Sequence, residues 1–165
     1  NQDYSLVQRY TLDGRLLGDT LPRSSFQGPI APFENFGGRR GGTFLRAGKT
    51  RAGVYSAPYR EWVEFSSDGA LLHRWKVLLP GEAADDENTR CSVESLALTD
   101  SGSVFAHIGT ATNRGLYVLD RANSRWRPVP KPEGAGALVG ADGDELVFLG
   151  PYGTEIRWHA LTSTP

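Results

Sequence analysis

Two stretches of this chain say nearly the same thing. Residues 10–20 read "YTLDGRLLGDT" and residues 65–75 read "FSSDGALLHRW". Each has an aromatic residue, two further residues, Asp-Gly, one residue and Leu-Leu. Asp-Gly between runs of strand-forming residues is a strong short-range hairpin signal, because the second turn position needs a positive φ that glycine adopts freely. A hairpin written twice, 55 residues apart, restricts the chain to a repeated, strand-built architecture.

The rest of the chain obeys that restriction. "SLVQRYTL" (5–12) and "RLLGDTL" (15–21) flank the first Asp-Gly; "REWVEFS" (60–66) and "LLHRWKVLL" (71–79) flank the second. In "EWVEF", the apolar Trp62, Val63 and Phe65 alternate imperfectly with Glu61 and Glu64, the pattern of a half-buried strand. "GTFLRAG" (42–48) and "AGVYSA" (52–57) precede that pair. "SVESLAL" (92–98), "SVFAHIG" (103–109), "GLYVLD" (115–120) and "RWRPV" (125–129) predict four more strands, and "GALVG" (136–140), "ELVFLG" (145–150) and "TEIRWHAL" (154–161) three more. No stretch keeps an apolar i, i+3, i+4, i+7 pattern for three turns without Gly or Pro, so no helix is expected. The 20 glycines and 10 prolines suit many turns between short strands.

Tyr10, Phe65, Tyr117 and Trp158 fall at one place in successive units, with spacings of 55, 52 and 41 residues. Each full unit is strand, tight turn, strand, longer loop, strand, tight turn, strand. A period of about 40–55 residues built from four short antiparallel strands is the pattern of propeller blades. The expected fold class is therefore all-β, in four-stranded antiparallel blades: a partial blade at 4–22, blades at 42–79 and 92–129, and a partial blade at 136–161. The expected core is Phe44, Val54, Trp62, Phe65, Leu96, Phe105, Tyr117, Leu119, Leu138, Phe148 and Trp158.

On these residues the chain resembles the NHL-type and related six-bladed propellers. "LALTDSGSVFAHIGTATNRGLYVLDRANSRW" (96–126) follows their repeat of apolar strand, Asp-x-x-Gly turn, strand with an aromatic, loop, Arg-containing strand and tight turn. "RAGVYSAPYREWVEFSSDGALLHRW" (51–75) and "VGADGDELVFLGPYGTEIRW" (139–158) follow it more loosely. The resemblance covers most of residues 42–161. It implies a six-bladed ring when complete. Two functional classes follow: a non-catalytic binding or scaffold module, or a divalent-metal-dependent hydrolase or lyase like the sugar-lactonase-type propellers.

Thirteen strands amount to about three blades, fewer than the four to eight that close a ring. Three arrangements answer this: part of a larger propeller in a longer chain, two copies completing one six-bladed ring, or a smaller barrel or sandwich. The chain contains no methionine, so the expectation is that Asn1 is not the natural start.

In a blade, the tight turns lie at one end and the longer connections at the other. Here 57–60, 109–114 and 150–153 within units, and 23–41, 80–91 and 130–135 between them, are the longer set. Insertions gathered on one face of a repeat protein mark a binding face. Tyr59, Arg60, Asn113, Arg114 and Tyr152 share equivalent places there, and Arg and Tyr make good contact residues. The expected partner is a protein, peptide or glycan at that end; strand capping is the bland alternative for the same residues.

Other motifs carry less. "NFGGRRGGTF" (35–44) lacks the Lys-Ser/Thr of a phosphate loop and the G-x-G-x-x-G of a dinucleotide fold, so an exposed turn is expected. His73, His107 and His159 have no metal spacing and are expected to be solvated or at the core rim. Glu94 lies in an innermost strand, but one carboxylate does not make a metal site. "GEAADDENTR" (81–90) lacks calcium-loop spacing. No metal and no cofactor are therefore expected. The net charge of −1 gives no field for nucleic acid. No run of 18 apolar residues exists to span a membrane, and no leader peptide opens the chain at Asn1. One cysteine, Cys91, leaves the redox compartment open.

Overall fold

The computed structural model describes residues 5–11, 13–22, 43–48, 50–56, 60–67, 70–80, 92–109 and 114–161, excepting the side chains of 5–10, 17–22, 43–45, 47 and 56. Among these residues the structure is all β. The strands are β1 (Ser5–Tyr10), β2 (Leu16–Pro22), β3 (Thr43–Ala47), β4 (Arg51–Ser56), β5 (Glu61–Ser66), β6 (Leu71–Lys76), β7 (Ser92–Leu98), β8 (Val104–Gly109), β9 (Arg114–Asp120), β10 (Arg125–Val129), β11 (Leu138–Asp142), β12 (Glu145–Leu149) and β13 (Ile156–Ala160). No helix occurs among them, hence none long and apolar enough to cross a membrane.

Every strand pair is antiparallel and every sheet runs in chain order. A first sheet holds β3-β4-β5-β6, a second β7-β8-β9-β10, and a third β11-β12-β13; β1-β2 form a separate hairpin. No sheet closes on itself.

Three of the tight turns share one construction, which explains the repeated hairpin. At the first residue, a hydroxyl accepts a hydrogen bond from the backbone N–H four residues on: Thr11 from Arg15 (2.9 Å), Ser66 from Ala70 (3.1 Å) and Thr99 from Ser103 (2.9 Å). Gly14 and Gly102, the fourth residues of two of these turns, have φ of 86° and 89°. The N–H of each bonds back to the first residue's carbonyl at 2.9 Å. This is a tight turn closed by a left-handed residue, and it takes glycine at that place. "TDSGS" (99–103) is thus a third copy of "TLDGR" and "SSDGA".

The three sheets stack face to face. Between the first and second lie Tyr55, Trp62, Val77 and Leu79 from one side and Val93, Leu96, Leu98, Val104, Ala106, Ile108, Leu119 and Trp126 from the other. Tyr55 meets Trp126 edge-on, with ring centroids 5.8 Å apart, the geometry that aromatic quadrupoles favour. Between the second and third sheets lie Ala97, Phe105 and Leu116 against Leu138, Leu146 and Phe148. β8 is the middle layer: all six of its residues are buried. Val104, Ala106 and Ile108 face the first sheet, and Phe105 faces the third. That is why "VFAHIG" carries no polar alternation.

The first strands of the sheets stand side by side, β7 touching β3 on one flank and β11 on the other. Arg46 of β3 donates through Nε to the Leu96 carbonyl of β7. The tight turns meet at one end: Asp100 N–H donates to Gly143 O at 2.9 Å, and Ser101 N–H to Asp144 Oδ1 at 2.7 Å. At the outer edge Leu78 makes a parallel bridge to Arg125.

Most of the expected core is buried: Val54, Trp62, Phe65, Leu96, Phe105, Leu119, Leu138 and Phe148. Tyr117 is half-buried against the first interlayer cluster, and the side chain of Phe44 lies outside the described residues. Trp158 is a correction, for it is 52% exposed. It pairs with Val147, between Leu146 and Phe148, so it points away from the second sheet. Its indole N–H donates to Asp142 Oδ2 at 3.2 Å. The strand β5 is a second correction. It is buried at all four positions from Trp62 to Phe65, Glu64 included, not half-buried.

One glycine in the sheets is required by packing. The Trp62 ring lies flat across Gly53 of β4, and a Cβ built on Gly53 would stand 2.0 Å from Trp62 Cζ2. Trp62 is wholly buried and has nowhere to go. Gly53→Ala is expected to cost about 2–3 kcal/mol, the range of core overpacking, as a lowered urea midpoint; an unchanged midpoint would refute this packing.

Candidate functional site

The two ends of the stack differ in chemistry. At the tight-turn end sits Glu64, a carboxylate with no solvent exposure. Its Oε1 accepts from Trp62 Nε1 at 2.8 Å and from Arg121 Nη2, and its Oε2 accepts from Arg51 Nη1 at 3.3 Å. Arg121 also donates to Gly102 O at 2.6 Å and lies over the Trp75 ring, 5.2 Å from its centroid. Strand geometry places Trp62 and Glu64 on one face, since residues i and i+2 share it. Arg51 comes from the neighbouring strand β4, and Arg121 from the β9–β10 turn of the second sheet. The buried charge thus ties two sheets together. Trp62 Nε1, Arg51 Nη1 and Arg121 Nη2 all converge on the one carboxylate, so this cluster is structural, although Arg51 Nε is buried without a hydrogen bond. Sequence reading missed it: the Trp-x-Glu spacing was the local signal, but the arginines stand 13 and 57 residues away.

The opposite end carries the longer connections and the residues expected to bind. Tyr59 and Asn113 lie outside the described residues. Arg60 opens β5 with φ of 53°, and its carbonyl accepts from Val77 N–H at 2.6 Å; it therefore also anchors the strand end. Arg114 opens β9, with its side chain 71% exposed, and its Nε stands 2.9 Å from Glu94 Oε1. Tyr152, in the turn after β12, is 90% exposed. The three belong to the equivalent β4–β5, β8–β9 and β12–β13 connections.

A row of Arg–Glu pairs runs along this end, one per sheet: Arg74 with Glu61 (3.3 Å), Arg114 with Glu94, and Arg157 with Glu155. Burial raises the Glu61 pKa above the ordinary glutamate value, against the pull of Arg74. The Arg114–Glu94 and Arg157–Glu155 pairs are the more exposed of the three, and exposed pairs contribute little stability, which leaves them able to exchange with a partner's charges.

Glu94 is placed by a bulge. The register of β7 on β8 shifts between Val93, opposite Ile108, and Ser95, opposite His107, so Glu94 is the extra residue. Its side chain crosses β8 at Gly109, where a Cβ would stand 2.4 Å from Glu94 Oε1, and so reaches Arg114. The bulge also restores Leu96 and Leu98 to the face of Val93.

The histidines differ from expectation in one case. His73 is exposed and tilted on Trp75, and His159 is half-buried edge-on to Phe148. His107, by contrast, is buried in the middle sheet at 5% exposure. Among the described residues, no three His, Cys, Asp or Glu side chains gather as ligands for a metal ion.

Comparison with family models, with curated proteins and with solved structures returns no match. The reading of this end therefore rests on its own geometry.

His107 gives a pH dependence. Burial lowers its pKa below 6.5, with Lys131 and Arg114 adding to the effect and Glu94 opposing it. The unfolded chain then binds more protons than the folded one as pH falls below about 6.5, so stability falls in that window and is full above it. Stability measured by urea titration from pH 7.5 to 5 should decline. His107→Phe should flatten that decline; an equal decline in the variant would place its cause elsewhere.

Proposed function

We propose that this chain is an arc of a β-propeller of the NHL-like, six-bladed kind, acting as a non-catalytic binding or scaffold module. Its long-loop end takes a protein, peptide or glycan. Support for the arc comes from the chain-order meander of each sheet, the face-to-face stacking and the side-by-side first strands β3, β7 and β11. Three flat sheets arranged this way present their connections in a common plane at each end, as blades do.

The single observation that carries the binding reading is the asymmetry of the two ends. The tight-turn end spends its polar groups on itself, in hydroxyl-capped turns and the Glu64 cluster. The long-loop end presents a 90% exposed tyrosine and a 71% exposed arginine side chain on equivalent connections. Tyr and Arg are the residue types that concentrate binding energy in protein interfaces.

The test is a peptide and glycan array probed with the full chain. A variant carrying Arg60→Ala, Arg114→Ala and Tyr152→Ala should lose at least about tenfold in apparent affinity for whatever the wild type retains, since one hot spot among them is enough, at about 2 kcal/mol or more on truncation. Asn123→Ala, at the tight-turn end, should bind as the wild type does. Equal loss in both variants, or no loss in the triple variant, would overturn the assignment of the binding end.

A further inference from the structure

The junction of the second and third sheets holds a group of polar atoms that the fold does not use. Ser95 of β7 and His107 of β8 are direct cross-strand partners, so their side chains share one face. It is the face of Phe105, turned toward the third sheet. Ser95 Oγ and His107 Nε2 are both withdrawn from solvent, and neither makes a hydrogen bond. A buried polar atom left so costs about 1–3 kcal/mol, and two side by side are unusual in a settled core.

The surroundings of the pair say what would satisfy it. Gly109 follows His107 on the same face of β8, and the Glu94 carboxylate lies across it toward Arg114. Lys131, from the β10–β11 connection, joins Arg114 and Glu94 as the charges His107 feels. Among the charges that His107 feels, two are cations and one is a carboxylate. The group lies at the long-loop end, with Glu94 across its mouth.

We propose that this junction is a carboxylate-binding subsite. Ser95 Oγ and His107 Nε2 supply its hydrogen bonds and Arg114 and Lys131 its charge, while Glu94, paired with Arg114 and lying over Gly109, swings aside for a ligand's carboxylate. Gly109 has no side chain to hold Glu94 in place, so the displacement needs only a rotation of the Glu94 side chain off the glycine. The subsite rests on the reading of this end as the binding end and narrows the partner to one bearing a carboxylate.

The probe is acetate, titrated into the full chain at constant ionic strength made up with chloride, while the three histidine Cε1–H resonances are followed by NMR. The His107 resonance alone should shift saturably, and its pKa should rise with acetate because a nearby anion favours the imidazolium. Glu94→Gln, an exposed and fold-tolerant change, should tighten acetate about fivefold or more by removing the carboxylate that competes with it. Ser95→Ala should weaken it about threefold or more, the scale of one hydrogen bond. A parallel titration uses the blocked peptide acetyl-Ala-Asp-Ala-amide: tighter binding than acetate identifies a partner's acidic side chain, and weaker binding identifies a small free acid. Either result keeps the subsite. No saturable His107 shift with either probe, a shift that chloride reproduces, or Glu94→Gln leaving acetate affinity unchanged would overturn it. If array binding still depends on Arg60, Arg114 and Tyr152 while acetate does nothing, the carboxylate subsite falls and the binding end stands.

Discussion

A carboxylate with no access to water has to be met on every side, and Glu64 is the group around which this fold is arranged. An unpaired buried charge costs several kcal/mol, and pairing repays that only when geometry and hydrogen bonding are both good. Glu64 obtains both by drawing on three elements: the Trp62 indole on its own strand, Arg51 on the next strand and Arg121 from the adjacent sheet. Each donor is then committed. Arg121 cannot leave without stranding the charge, so the second sheet is held at a fixed offset from the first. The Arg51 guanidinium lies against Gly102, where a Cβ would stand 2.9 Å from it. The turn that tolerates a left-handed residue is therefore also the turn that admits the arginine. Apolar contact is indifferent to small sliding, whereas this hydrogen-bonded charge is not.

The second constraint is that β8, the buried strand of the middle sheet, has no outside. With β8 buried on both faces, any polar residue in it must find a partner within the layers or remain unsatisfied. His107 is the one ionisable side chain in that strand, and burial holds it toward the neutral form. The bulge at Glu94 is the device that relieves the same strand's rim: it takes one residue out of the alternation, keeps Val93, Leu96 and Leu98 facing the first sheet, and sends a carboxylate over Gly109 to Arg114. One insertion thus serves packing on one face and charge on the other.

These two constraints explain how far the sequence could be read. All thirteen strands were legible, because Asp-Gly and Ser/Thr-x-x-Gly turns punctuate short apolar runs, and the turn chemistry is local. Facing was less legible. Register shifts in β6, β7 and β11 reset the alternation by one residue, and a one-residue slip moves every later side chain to the other face. Trp158, aligned by spacing with Phe65 and Tyr117, pairs in unbroken register opposite Val147 and so lies on the exposed face of the third sheet; there the repeat spacing itself, not a slip, misplaced it. The burial of Glu64 was illegible for a different reason: a glutamate's neighbours in space, not in sequence, decide whether it is solvated. At the long-loop end, spacing alone placed Arg60, Arg114 and Tyr152 on equivalent connections. It could not show that Arg60 also anchors β5 through its carbonyl, or that Arg114 is already engaged by Glu94.

The division of labour between the ends follows from the same physics. The tight turns spend their spare backbone N–H groups on one another, as Asp100 does on Gly143 and Ser101 on Asp144, so they suit fixed contacts. Longer connections can change length and sequence without disturbing the layers beneath them. A half-exposed ion pair such as Glu94–Arg114 contributes little to folding, and for that reason can be broken by a ligand at little cost in stability. The Glu64 cluster is the opposite case: three committed donors on a buried charge resist exchange. Recognition therefore belongs where the charges are weakly held, and cohesion where they are not. In this chain those two places are separated by the full length of the strands.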